Sequence, residues 1–133
     1  MSTEENKAYV RHSVEILNKD NWAELMRAES PHLDTEAFIQ EHAKFRAAFP
    51  DYQFTIDDLI AEGDKIVVRG TVRATHRGEF PIDELKGIAP TGKHLEWTEV
   101  WIQQIQGGKL VEGWLVVDGV SRLQQLGVLP SPV

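Results

Sequence analysis

The sequence predicts an α+β domain in which N-terminal helices pack against an antiparallel sheet. Apolar residues recur at helical spacing through roughly the first fifty positions. From Tyr52 onward they alternate with period two, the mark of strands with one face buried. The pairs Gly63-Asp64 and Gly107-Gly108 divide that second half into two hairpins.

Val10, Val14 and Leu17 form one apolar stripe over residues 3–18, which predicts an amphipathic first helix. Asn18 to Asn21 break it. Asn21 with Glu24 fits a capping box for a short second helix burying Trp22, Leu25 and Met26. Ser30-Pro31 marks a turn. Asp34 or Thr35 then caps a third helix running to about Ala48, and Pro50 ends it. Its stripe is Phe38, His42, Phe45 and Phe49. His42 on that stripe has two readings: a core-edge histidine bonded to a backbone carbonyl, or, with Phe45, part of a cavity wall facing a ligand.

Tyr52–Glu62 and Lys65–Arg77 pair across Gly63-Asp64. Alternation puts Ile66, Val68, Val72, Ala74 and His76 on one face, so His76 projects inward at the strand's end. The arginines of the other face meet solvent or a partner. Gly78–Gly92 is a loop of about fifteen residues, a length often found over binding sites. Lys93–Gln106 and Lys109–Asp118 pair across Gly107-Gly108. A two-residue turn puts Trp101 opposite Trp114, Glu99 opposite Val116 and Trp97 opposite Asp118. Trp97, Trp101 and Trp114 then share a face with Glu99, Glu112 and Asp118. The reverse face carries Val100, Ile102, Leu115 and Val117. A sheet apolar on both faces needs two covers, and a second subunit is the simplest second one, predicting a homodimer or higher homo-oligomer. Val120–Gly127 reads as a short terminal helix and Val128–Val133 as a tail.

One domain, residues 1–133, accounts for the whole length. With 14 basic and 21 acidic side chains the formal charge is −7, which argues against nucleic acid and anionic membranes as partners. No apolar run reaches the roughly 18 residues of a membrane span. The polar start, Met1–Lys7, does not read as a signal peptide. Without cysteine there is no disulfide, thiolate metal site or cysteine nucleophile, which fits a cytoplasmic protein. The five histidines lack paired metal-ligand spacing, no glycine-rich phosphate loop is present, and Ser13, Ser30 and Ser121 sit in no nucleophile elbow. The sequence therefore predicts neither metal nor cofactor.

Several segments in order resemble the SnoaL-like polyketide (ester) cyclase family. They are Phe49-Pro50-Asp51, Asp58 to Lys65, Val67-Val68-Arg69, Thr75-His76-Arg77-Gly78-Glu79-Phe80 and Pro90-Thr91-Gly92-Lys93. Gly108-Lys109, Glu112-Gly113-Trp114, Asp118 and Gln124-Gln125-Leu126-Gly127 complete the set. The resemblance implies a nuclear-transport-factor-2-like fold: a strongly curved antiparallel sheet wrapped on helices, forming a cone-shaped α+β barrel with a deep apolar pocket, and dimers through the outer sheet. It implies acid/base chemistry, an intramolecular aldol closure without metal or cofactor, at an acidic residue late in the last long strand. Asp118 matches that residue, and His76 the family's recurring histidine before glycine. The sequence departs from the pattern at Ala28–Thr35, which is short, and around Pro81–Lys86, which is long. The superfamily also holds epoxide hydrolases, steroid isomerases and proteins without known catalysis, and fold does not choose among them.

Asp118 beside Trp97 has the logic of a carboxyl raised by dehydration into an acid/base. Its other reading is the cap of the turn at Gly119. Glu99 is the second polar group, or else the partner of a surface cation. His76 faces the pocket, or else bonds within its loop. Trp97, Trp101 and Trp114 are aromatic wall, or simply core. Three functions follow: acid/base catalysis at Asp118 on an apolar cyclic or carbonyl-bearing substrate, water addition to an epoxide with Asp118 and Glu99 moving protons, or ligand binding without turnover.

Overall fold

A computed structural model describes residues 2–29, 35–80 and 87–130. The expected turn at Ser30-Pro31, the cap at Asp34 and the insertion at Pro81–Lys86 lie outside the described residues. Helix α1 (Thr3–Leu17) begins at a capping box. Ser2 Oγ accepts from Glu5 N, and Glu5 Oε1 accepts from Ser2 N. Its last turn is tied to the sheet by Asn18, whose side chain donates to Phe54 O and accepts from Phe54 N, both at 2.8 Å. Helices α2 (Trp22–Glu29) and α3 (Thr35–Ala48) follow. Rings of α3 stack along its axis: Phe38 on His42 at 5.4 Å, then His42 on Phe45 at 6.3 Å.

Strands β1 (Gln53–Glu62), β2 (Lys65–Thr75), β3 (His94–Gln106) and β4 (Lys109–Val117) form one antiparallel sheet in that order. The sheet is curved and unclosed, so the expected barrel is an open one. Helix α4 (Gly119–Leu126) is the last regular element among the described residues, and Gly127 stops it in the left-handed region at φ 81°. The core lies between α1, α4 and one sheet face. There Val10, Val14 and Leu126 meet Phe54, Val68, Val72, Leu95 and Trp97. Dewetting this face fixes which alternate residues point inward.

Two strand ends differ from the sequence reading. β2 stops at Thr75 rather than Arg77, because the Asp51 carboxylate takes both Thr75 N and Thr75 Oγ1. β4 stops at Val117 rather than Asp118, because Asp118 turns to cap α4.

The register of the last hairpin needs a larger correction. Gln106 pairs with Lys109 and Ile105 with Leu110, as a two-residue turn requires, but Gln104 then pairs with Glu112. The extra residue, Val111, is a β-bulge. Beyond it Trp101 faces Leu115, Glu99 faces Val117 and Ile102 faces Trp114. Every later β4 side chain has therefore changed face. Leu115 and Val117 join Trp101 and Glu99 on the inner side, whereas Glu112, Trp114 and Val116 stand outside with Val100 and Ile102.

Candidate functional site

The inner face of β3 and β4, the helices α1 to α3 and the start of α4 line a half-open, mostly apolar cavity of about 480 Å³. Its floor depends on a glycine. Gly70 in β2 leaves its inner position empty, and the Phe54 ring fills that space. Phe54 then lies on Trp101 with ring centroids 4.3 Å apart. Phe38, His42, Phe45 and Tyr52 supply a second aromatic wall.

Glu99 is the buried carboxylate of this cavity, 7% exposed. Trp97, Glu99 and Trp101 are spaced by two along β3, so all three point inward. Trp97 Nε1 donates to Glu99 Oε2 at 2.8 Å, and Trp101 Nε1 donates to Glu99 Oε1 at 3.0 Å. An indole can only donate, so each carboxylate oxygen is used as an acceptor and keeps lone-pair capacity for another donor.

Arg122 of α4 brings a guanidinium to the same cavity, 6% exposed. Its Cζ lies 5.1 Å from the Trp97 ring centroid and 5.3 Å from that of Phe80. Its Nε is buried without a hydrogen-bond partner. Burial pulls its pKa below the ordinary arginine value, and the charges of Glu99 and Asp118 oppose that shift. Tyr52, beside Glu99, has its phenol pushed up by burial and by that carboxylate. Burial, with Arg46 nearby, drives His42 down to about 4. The His42 ring stands edge-on to Trp22 and Tyr52, and its Nε2 is sealed without a hydrogen-bond partner.

The structure brings Glu99, Trp101, His42 and Phe45 together on the cavity lining. Trp97 stands behind Glu99 and reaches the site through its N–H. Trp114 borders the cavity, but its register turns the ring outward, where Lys65 Nζ sits 5.8 Å from its centroid. Asp118 does not line the cavity. It is exposed, and its Oδ1 accepts from Ser121 N at 3.0 Å as the N-cap of α4. His76 is fully buried but also off the lining. Its Nδ1 accepts from Thr91 N at 3.2 Å and meets Thr91 Oγ1 at 3.0 Å, between the rings of Phe49 and Phe80. Arg122 and Tyr52 were not singled out by the sequence. The signal for Arg122 was its spacing: four residues before Leu126, it shares that residue's buried helix face. Among the described residues no cluster of three His, Asp or Glu is placed to hold a metal.

The model of the SnoaL-like polyketide cyclase family matches residues 6–126. AclR of Streptomyces galilaeus, a candidate hydroxylase, is 30% identical over 99% of this chain and 87% of its own, with a TM-score of 0.82. A SnoaL-like protein from Jannaschia is 19% identical, covers 96% of this chain and 95% of its own, and superposes with a TM-score of 0.80. A cyclase-like protein from Acidithiobacillus ferrooxidans is 24% identical over 96% of this chain and 99% of its own, at 0.77. The latter two show the fold. No curated protein sequence matches the chain.

Proposed function

This chain belongs to the SnoaL-like polyketide cyclase family, and from that premise we propose that it is a small acid/base enzyme acting on an apolar, carbonyl-bearing molecule held in the cavity at Glu99. The observation that carries this reading is a carboxylate buried in an apolar cavity, fixed by two indole donors and accompanied by a buried arginine. A substrate carbonyl oxygen would meet the Arg122 guanidinium. Glu99 would take a proton from the carbon next to that carbonyl, leaving an enolate whose negative oxygen Arg122 stabilises. The enolate carbon then attacks an internal carbonyl, closing a ring as protonated Glu99 returns its proton to the new alkoxide, or the enolate regains that proton from Glu99 at another carbon, giving an isomer. The aromatic walls keep the Glu99 end of the cavity poor in water. The match to the cyclase family and the likeness to AclR support a catalytic role in general.

Asp118, which the family pattern offers as the acid, lies one residue past the cavity-lining Val117, and its charge acts on Arg122. In this reading it is the alternative acid. The deciding experiment is turnover of one accepted cyclic or linear ketone by Glu99→Gln. Loss of a positioned acid or base lowers the rate about 10²–10⁴-fold. A wild-type rate in folded Glu99→Gln would remove Glu99 from the chemistry.

A second reading, ligand binding without turnover, is favoured by the engagement of the Asp118 carboxylate in the α4 cap. It predicts tight, unconverted ligand in the native protein. The outward Trp114 and Val116, 44% and 62% exposed, support assembly as a homodimer through this sheet face.

A further inference from the structure

The inner face of β4 has a gap in its row of side chains. Leu110, Leu115 and Val117 project into the cavity, but the position between the first two is Gly113. Gly113 lies opposite Gln103, itself on the cavity lining. Its backbone is not among those with positive φ, so no turn requires a glycine there. A Cβ built on it would meet only Ile102 O, at an ordinary 3.9 Å. A glycine inside a strand weakens it, and the neighbouring bulge falls at Val111 rather than at this position. What its bare Cα leaves is open space along the solvent-facing edge of the cavity lining.

The gap also sets a length. Glu99 pairs with Val117, four residues along β4 from Gly113. At about 3.3 Å per residue those positions are about 13 Å apart. We propose that Gly113 is the specificity-determining residue of this cavity, admitting the far end of an elongated ligand that runs along β4 from Glu99 and Arg122 to Gln103. This rests on the carbonyl-bearing reading of the site, with the carbonyl at the Arg122 end. The ligand is then longer than a single ring. Its distal end lies flat on the Gly113 backbone between Leu110 and Leu115, where any side chain would occupy its place.

The test uses two carbonyl-bearing probes of different length, acetophenone and the naphthyl ketone 6-propionyl-2-dimethylaminonaphthalene. Binding is followed by titration calorimetry, and for the naphthyl ketone also by its polarity-sensitive emission. Gly113→Val is expected to weaken the long probe at least tenfold and acetophenone less than twofold. Its melting temperature should hold or rise, because valine suits a strand better than glycine. Gly113→Ala, a smaller intrusion, should weaken the long probe about threefold, and it carries the test if the valine variant misfolds. Unchanged affinity for the long probe in a folded variant would overturn the assignment. Equal loss of both probes would overturn it as well, because length would not be what Gly113 reads. If neither probe binds the wild type, the carbonyl-bearing reading of the cavity itself fails, an outcome distinct from the other two.

Discussion

Phe54 lies flat against Trp101, with 24° between the ring planes, and it does so across the empty side-chain position of Gly70. The two aromatics belong to strands that never pair, β1 and β3. Only a residue without a Cβ on the intervening β2 lets them touch.

Gly70→Ala should therefore destabilise the protein. The new Cβ overlaps the Phe54 ring and comes within 2.7 Å of Thr55 O, so the ring must leave Trp101. Overpacking of this kind costs about 1–3 kcal/mol. Adding Phe54→Leu should recover part of the loss. Denaturant melts of both variants check this, and a non-additive gain in the double variant is the expected signature.

Stability should fall in mild acid because of His42. Its folded pKa is depressed to about 4 from an ordinary 6.5. The unfolded chain therefore binds the proton first, and stability falls as the pH drops from about 6.5 toward 4. The loss would be up to about 3 kcal/mol. His76, also lowered by burial, acts in the same sense. His42→Phe keeps the ring stack of α3 and should flatten this part of the stability–pH curve. Chemical melts at several pH values read the difference, and an unaltered slope in the variant would count against His42.

Asp118 separates capping from catalysis. Asparagine also caps well, so Asp118→Asn should melt like the wild type, whereas Asp118→Ala should lose about 0.5–2 kcal/mol. If Glu99 is the acid/base, Asp118→Asn keeps most turnover. Collapse of turnover in the folded asparagine variant would return the chemistry to Asp118.

The outer sheet face predicts a particle of twice the 15.1 kDa chain mass. Val116→Lys places a charge on that apolar face and should shift sedimentation toward the monomer without lowering the melting temperature of the monomeric fold. A wild type that sediments only as monomer at micromolar concentration would defeat the dimer.

The order of elements is legible in the chain, because helical and strand periodicities are local and each is written in a few successive residues. Thr3–Leu17 and Thr35–Ala48 followed from their apolar stripes, and both hairpins from glycine-containing turns. The sequence also put Trp97, Glu99 and Trp101 on one face, since alternation within a single unbroken strand is arithmetic. Beyond that strand the arithmetic failed at Val111. A bulge is decided by which pairing buries more apolar surface across two strands, and the one residue it inserted sent Trp114 outward and Leu115 and Val117 inward. Tertiary structure likewise set contacts that the local pattern left open. It engages the Asp118 carboxylate in a helix cap because the chain turns into α4 there, and His76 in its loop because the Thr91 backbone arrives at its Nδ1. It brought Arg122 to Glu99 because docking α4 on β3 buries the helix face that Arg122 shares with Leu126. These are contacts between residues distant in the chain, set by packing, and no local pattern encodes them.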